Sequence, residues 1–521
     1  MSRLQHGFVV VLLMVAAGAL LLWKTTRTEI VFADGLRYIR QAKVIEAGEL
    51  VGGLLNAIDH PAYPIAISWA HSLEGGDGPL DWQRAGQMAS VMAGILLVIP
   101  LYLVALELVG PRAAWMAVAL SYIAPVVSNV TADVLSEGLF LLFWSWGVWA
   151  ALRFLKDGRF AWLTPMIAAT GLAYFTRPEG LLLPAAVVAT LLLMPLLPST
   201  RMRWPRWWAA VGLLVIGPAV IVGPYMIHKG SVGTKPAIAR LLGTAPPSGN
   251  EAVERNRPLD PGQSAVRTYA VAAKVVFESI RDAVTVPVLL IVPVGMLAAR
   301  RAGPSSRQWL FLGVVLCSAF VGLVRLHATG GYCSPRHAMV PALLLIPFAA
   351  LGIDHLLKSV TLPGRLLGTP GEAIRPGPIF WLLALGALAM PTLPRHATPL
   401  NSSFVAYREA AEWLRENAGA GEKVVDLTGW SQFYGEFEGY TFADVIYAGA
   451  DQEARWVVAR EAHVYGEWDY CEILRSLIGP LRPEVVVPEG ADPDEARVYV
   501  FDRKVPGDLV LMGTPSGTVL R

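Results

Sequence analysis

The sequence predicts a polytopic α-helical membrane protein that carries a small C-terminal α/β domain, and three observations predict it. The composition is too apolar for an ordinary soluble chain: 54% of the 521 residues are hydrophobic and 16% are charged, with a mean hydropathy of +0.48. The apolar residues gather into runs close to the roughly 20-residue length that crosses a bilayer. From about residue 397 onward the runs shorten and charges become frequent. That shift marks a second kind of domain, so the chain divides into a membrane part, 1–396, and a soluble part, 397–521.

About eleven spans can be placed, with about 17 residues as the lower limit of length. They run approximately 7–23, 85–107, 112–128, 132–154, 161–176, 179–197, 207–227, 283–299, 308–325, 338–356 and 378–392. Backbone groups in lipid must close their hydrogen bonds within the segment, so these spans are helices. The first run continues through LLLWK with no small-residue cleavage site after it, and it is read as a retained span rather than a cleaved signal.

Orientation follows from the alternate loops that hold Lys and Arg. Arg112 lies in one, Arg153, Lys156 and Arg159 in the next, then Arg201, Arg203 and Arg206. Arg300, Arg301 and Arg307 follow, and Lys358, Arg365 and Arg375 close the series. With a cytoplasmic N-terminus every cluster falls inside, as the positive-inside bias requires. The first outer loop, 24–84, and the C-terminal domain then share the extracytoplasmic side of a cytoplasmic (inner) membrane.

Within the C-terminal domain, YREAAEWLREN and DYCEILRSLIG have apolar residues at helical spacing, and KVVDL, EVVVP and ARVYVFD read as strands. The polar stretch 229–278 is long for a turn and rich in Pro, Gly and charge, the composition of a lid or a disordered loop. Cys317, Cys333 and Cys471 form no disulfide framework, and free thiols are expected. A net charge of +2 gives no electrostatic footprint for nucleic acid.

The chemistry-bearing residues collect outside the spans on one side. ADGLRYIRQAKVIEAG and DHPAYP, just after the first span, carry Asp34, Asp59 and His60. A partly shielded carboxylate such as Asp34 can take a proton from a hydroxyl; equally, Asp is a favoured cap for the helix that follows. His60 would stand just before a helix begun by Pro61 and Pro64, and an interfacial turn explains it as well. TADVLSEGLF places Asp133 and Glu137 one turn apart on one helical face, where they complement a helix dipole. Glu137 lies about a turn inside the apolar run, where an ionisable group usually faces a cavity or a partner.

Arg177 and Glu179 in TRPEGLLLP, and Arg336 and His337 in GGYCSPRHAMVP, also fall on the outer side. Outer arginines run against the charge bias, which points to an anionic partner, and guanidinium matches phosphate geometry with paired donors. An internal ion pair, Arg177 with Glu179 for instance, is the alternative.

The order of these motifs, from Asp34 in an ADG loop through HPAYP, TADVLSEGLF and TRPEGLLLP to PRHAMVPALLLIPFAALG, resembles the GT-C membrane glycosyltransferases. It is most similar to the dolichyl-phosphate-mannose-protein mannosyltransferase-like, or ArnT/RgtA-like, group (glycosyltransferase family 39-like). The resemblance implies a GT-C fold and an enzyme that moves a sugar, with inversion, from a polyprenyl-phosphate carrier to an acceptor hydroxyl on a protein, lipid or glycan. It implies Asp34 as the catalytic base, Asp133 or Glu137 as a second catalytic acidic position near the acceptor or a metal, and Arg336 at the lipid phosphate. His60 matches the His-Pro motif, and Tyr63 of the same segment, Arg177, Glu179 and His337 complete the expected substrate-binding set. Many relatives place Glu after the first-loop Asp, whereas Gly35 follows Asp34 here. No cofactor is assigned, and a divalent metal is allowed but not required, because arginines can supply the cation.

Two competing functions fit a polytopic chain. A transporter or lipid-linked glycan flippase would place ionisable groups and broken helices at the bilayer midplane and show repeated halves, whereas here the charges collect at one face and the halves differ. A noncatalytic relative would bind the lipid-linked sugar without turnover.

Overall fold

The structure, a computed structural model, describes residues 2–197, 202–233, 265–330, 332–359, 362–363, 373–374, 378–464, 466, 469–488 and 498–503. Helix α1 (Arg3–Thr25) opens on a capping box in which the Ser2 hydroxyl accepts from Gln5 N and the Gln5 side chain accepts from Ser2 N. Two amphipathic helices follow outside the spans, α2 (Ala33–Glu46) and α3 (Ala62–Glu74). The bundle continues with α4 (Pro79–Val109), α5 (Pro111–Ile123), α6 (Pro125–Val130), α7 (Glu137–Asp157), α8 (Leu163–Thr176), α9 (Leu182–Leu193) and α10 (Trp204–Lys229). Proline in the first turn starts α4, α5, α6 and α10, where a missing N–H costs nothing. Gly158, at φ 68°, ends α7 in the left-handed conformation that closes a helix.

After residues 234–264, which lie outside the described residues, come α11 (Ala265–Val284), α12 (Val286–Ala302), α13 (Ser306–Gly330), α14 (Met339–Ser359) and α15 (Pro378–Ala389). Between α14 and α15, β1 (Leu362–Pro363) pairs antiparallel with β2 (Ala373–Ile374). The stretch 229–278 therefore ends as helix rather than loop. Helix α11 meets α12 at 92°, and Thr285 at the corner has φ 76°, an unusual conformation for a β-branched residue. Helices α12 and α14 touch through glycines: a Cβ on Gly295 would lie 1.6 Å from Phe348 O, and one on Gly352 2.8 Å from Ile291 O. Small residues allow backbones in a membrane bundle to approach this closely.

The protein is a multi-pass membrane protein. Among the described residues, seven helical stretches are individually long and apolar enough to cross, α9 being counted with its flanking 3-10 turns as Pro178–Leu196, and the bent α11–α12 pair makes an eighth. The spans expected at 112–128, 161–176 and 378–392 appear instead as the shorter helices α5, α8 and α15. For α5 the reason is Pro125, which drives Ala124 to an extended conformation, φ −66° and ψ 117°.

Side-chain contacts define the two ends of the bundle. At one end, Glu107 near the close of α4 receives Arg153 (3.4 Å) and Lys156 (2.6 Å) from the close of α7 and Gln308 (3.3 Å) from the start of α13. The other end holds α2, α3, the turn 131–136 and the residues before α14.

The C-terminal domain stands on that second end. It comprises α16 (Leu393–Ala397), α17 (Ala406–Asn417), β3 (Lys423–Asp426), α18 (Trp430–Gly435), β4 (Gly439–Tyr440), β5 (Ala454–Arg460), α19 (Glu461–Val464), α20 (Asp469–Ile478), β6 (Val485–Val487) and β7 (Val498–Asp502). The sheet order is β4-β3-β5-β7-β6. Strand β3 is parallel to β4 and β5, and β7 is antiparallel to β5 and β6. The three expected strands and two expected helices are present. Central strand β5 is buried at nearly every position, so it lacks the alternation that marks a half-buried strand.

One apolar core joins Ile30, Leu36 and Ile39 of the first-loop segment to Tyr407, Leu414 and Trp430 of this domain. Polar pins reinforce it. Trp430 Nε1 donates to Val31 O (2.8 Å), and the Tyr434 hydroxyl accepts from Val31 N (2.9 Å) and donates to Gln83 Oε1 (2.6 Å). None of the three cysteines is in a disulfide among the described residues, Cys471 being buried and Cys317 exposed.

Candidate active site

Helix α2 carries Asp34 into the junction of bundle and C-terminal domain. The helix cap is Phe32, with no side-chain cap bond, and Asp34 sits in the first turn. The capping alternative for Asp34 is thereby removed. Gly35 explains the missing Glu: a Cβ there would lie 2.8 Å from Val134 O and 2.9 Å from Val134 Cβ, so α2 packs backbone-close against the turn 131–136.

From Asp34 a chain of ion pairs runs in both directions. Asp34 Oδ1 lies 2.9 Å from Arg37 Nη1, and Arg37 Nε donates to Asp59 Oδ2 at 3.1 Å. Asp34 Oδ2 lies 2.8 Å from Arg336 Nη1, which is 3.8 Å from Glu137 Oε1. Glu137 Oε1 is 2.8 Å from Arg177 Nη1, and Arg177 Nη2 is 3.0 Å from Glu179 Oε1. Arg177 thus makes the pair with Glu179 and a second one with Glu137. Asp34 and Arg336 have side chains 23% and 19% exposed, shielded yet reachable. Arg336 also lies over the Phe32 ring at 4.7 Å. Its Nε is buried without a hydrogen-bond partner among the described residues, an unused donor at the site.

Other expected residues sit elsewhere. Asp133 and Glu137 do not share a helical face: Asp133 belongs to the turn before α7 and Glu137 is the first residue of α7, so Glu137 is not a turn inside the helix. The Asp133 carboxylate accepts from Phe32 N (3.3 Å), Val134 N (2.7 Å) and Asn401 Nδ2 (2.8 Å), which ties the start of α2 to the C-terminal domain. Its burial pushes its pKa up to about 6. Tyr63 is fully buried and its hydroxyl meets Ser90 Oγ (2.6 Å) and Gly86 O (3.1 Å), a core contact rather than a surface for substrate. His60 immediately precedes Pro61, the cap residue of α3, and packs edge-on against Tyr174 at 4.8 Å.

Charge at the site is carried by guanidinium. Burial opposes ionisation of Arg336, but Asp34 and Glu137 outweigh it and hold the side chain firmly charged. Burial, with Arg336 and Arg177 adding to it, pushes His337 down to about 4. Its Nδ1 lies 2.9 Å from Ser334 Oγ, and a neutral ring adds no charge for a phosphate. Among the described residues no three His, Cys, Asp or Glu side chains converge as metal ligands. The site carboxylates Asp34, Asp59, Glu137 and Glu179 are each paired with an arginine, a donor set that suits guanidinium better than a divalent ion.

Sequence reasoning passed over Arg37 and left Asp59 without a role. The spacing Asp34 to Arg37 on a helix is the signal for the first, since residues three apart are neighbours on one face. No local pattern points to Asp59, whose contact arises from the packing of the loop before α3 on α2.

The fold is shared with solved membrane proteins. The structure aligns with ArnT from Cupriavidus metallidurans bound to undecaprenyl phosphate over 95% of this chain and 98% of that one, with TM-score 0.58 and 15% identity. The chain has the GT-C fold. The oligosaccharyltransferase from Archaeoglobus fulgidus tethered to an acceptor peptide shares the GT-C fold over 92% of this chain and 73% of its own, with TM-score 0.54 and 12% identity. The archaeal oligosaccharyltransferase AglB from Archaeoglobus fulgidus, in complex with an inhibitory peptide and a dolichol-phosphate, aligns over 96% of this chain and 74% of that one, with TM-score 0.54 and 12% identity. Within the GT-C bundle, residues 81–222 match the family model described as dolichyl-phosphate-mannose-protein mannosyltransferase. No curated protein matches the chain by sequence.

Proposed function

We propose that this protein is an inverting glycosyltransferase that moves a sugar from a polyprenyl-phosphate carrier to an acceptor hydroxyl at the extracytoplasmic face of the cytoplasmic membrane. The observation that carries the reading is the pairing of a reachable carboxylate, Asp34, with the arginines Arg336 and Arg177 at one end of a GT-C bundle. Lys and Arg at the opposite end, Arg153 and Lys156 among them, support the sidedness.

Asp34 accepts the proton of the acceptor hydroxyl as that oxygen bonds to the anomeric carbon. The bond from this carbon to the phosphate oxygen breaks with its electron pair, and polyprenyl phosphate leaves with one more negative charge. Arg336, with Arg177 behind it, faces that developing charge, so the cation acts where charge grows in the transition state. Fixed positions supply the remaining catalysis by holding reactants in line. Glu137 and Glu179 orient the arginines, and Asp133 fixes the start of α2 rather than touching substrate. No step requires a metal. The placement of these charges at one end, not at the midplane, speaks against a transporter.

Mass spectrometry of membrane lipids and surface glycans, with and without the protein, tests the function. Loss of one glycan together with accumulation of its lipid-linked sugar is expected; unchanged glycans with an altered transmembrane distribution of the lipid would instead indicate a flippase.

A further inference from the structure

Asp34 and Arg336 form a pair that a working enzyme of the proposed kind must break. A general base works best on an oxygen that no cation holds, yet each oxygen of Asp34 is paired with a guanidinium, Oδ1 with Arg37 at 2.9 Å and Oδ2 with Arg336 at 2.8 Å. A carboxylate between two guanidiniums is a poor proton acceptor. The donor phosphate competes with Asp34 for Arg336 Nη1, because Nε is buried, and a phosphate and a carboxylate oxygen cannot occupy one position. We infer that Asp34 stands on Arg336 in place of the donor phosphate, so that donor binding displaces it and thereby frees the base. This rests on the reading of Arg336 as the phosphate site.

The two guanidiniums differ in how they are built in. Arg37 belongs to the same helix as Asp34, one turn on, and is braced from behind by Asp59, which is 3% exposed. It moves with Asp34 and keeps the carboxylate in place. Arg336 comes from a separate segment, just before α14, and is turned toward Glu137 at 3.8 Å as well. It can turn from the carboxylate to a ligand without disturbing α2. Oδ2 is then uncovered while Oδ1 stays fixed.

The consequence is an order of binding. Without donor, Asp34 stays paired and neither water nor an acceptor hydroxyl is activated. With donor, its phosphate takes Arg336 and the base appears beside the anomeric carbon. The device couples reactivity to the presence of the carrier and suppresses proton abstraction at an empty site.

The test uses the full-length protein in detergent and undecaprenyl phosphate as the probe. Removing the competing charge should tighten binding, so Asp34→Asn is expected to bind the probe about tenfold more strongly than wild type, and Asp34→Ala to do the same. Arg336→Ala should bind weakly. Unchanged or weaker binding by both Asp34 variants, with Arg336→Ala still impaired, overturns the competition and leaves Arg336 as the phosphate site. Wild-type affinity in Arg336→Ala overturns both.

Discussion

Arg336 Nη1 lies 2.8 Å from Asp34 Oδ2 although 302 residues separate the two in sequence. The pair joins the first outer segment to the segment before α14. Everything around it serves to hold those two segments: the Gly295–Gly352 contact fixes α14 on α12, and Val134 against Gly35 fixes α2 on the turn 131–136.

Asp133 should make stability depend on pH in a predictable sense. Burial raises its folded-state pKa from 3.8 to about 6, so the folded protein binds this proton more tightly than the unfolded chain. The contribution is fully present below about pH 4 and is lost as pH rises through about 6, amounting to at most about 3 kcal/mol. Asp133→Asn cannot titrate. The wild-type Tm, measured in detergent relative to the variant, should fall between pH 4 and 6 and then stay level; a flat difference would show that Asp133 is not buried as described.

Tyr434 clamps the C-terminal domain onto the site. Tyr434→Phe removes the acceptor for Val31 N and the donor to Gln83. Leaving a buried N–H unpaired costs about 1–3 kcal/mol. The variant should melt earlier and transfer sugar more slowly, because residues 30–32 lead directly into Asp34. Wild-type melting would show that the apolar core alone holds the two parts.

His337 should not govern the pH profile of transfer. With its pKa pushed down to about 4, the ring stays neutral across the neutral range. His337→Asn should therefore leave the shape of the rate–pH profile unchanged. Disappearance of a limb near pH 6 to 7 in this variant would assign that limb to His337.

The fold was legible in the sequence because its main signal is cumulative. Long apolar runs and alternate Lys and Arg clusters mark the bundle, and YREAAEWLREN marks α17 by its helical period. Legibility failed where three-dimensional packing decides. Pro125 shortens a span that composition alone would extend, and β5 hides its strand character by being buried on both faces. At the site, Arg336 was visible because an outer arginine is anomalous. The sequence could not show what Asp133 touches, because acidity at a helix start looks alike whether it faces a ligand or three protein donors. Arg37 was passed over because a solvent-side arginine on an amphipathic helix is ordinary until its partners are known.

Sidedness is open to a direct check. Helix α2 and the C-terminal domain share a core, so cysteines at Glu49 and Ala420, both exposed, should react together with an impermeant reagent on intact cells. Protection of both would reverse the orientation.

The central claim is that Asp34 is the base, and sugar transfer by Asp34→Asn tests it most directly. The substitution keeps the size of the side chain while removing the charge that pairs with Arg37 and Arg336 and a first-turn contribution of about 0.3–1 kcal/mol to the helix. The protein should insert, remain monodisperse and bind undecaprenyl phosphate, while transfer falls by about a hundredfold or more, the range for losing such a group. Near-normal transfer by a well-folded Asp34→Asn protein would contradict the account and hand the proton to another carboxylate of the chain, Glu137 first.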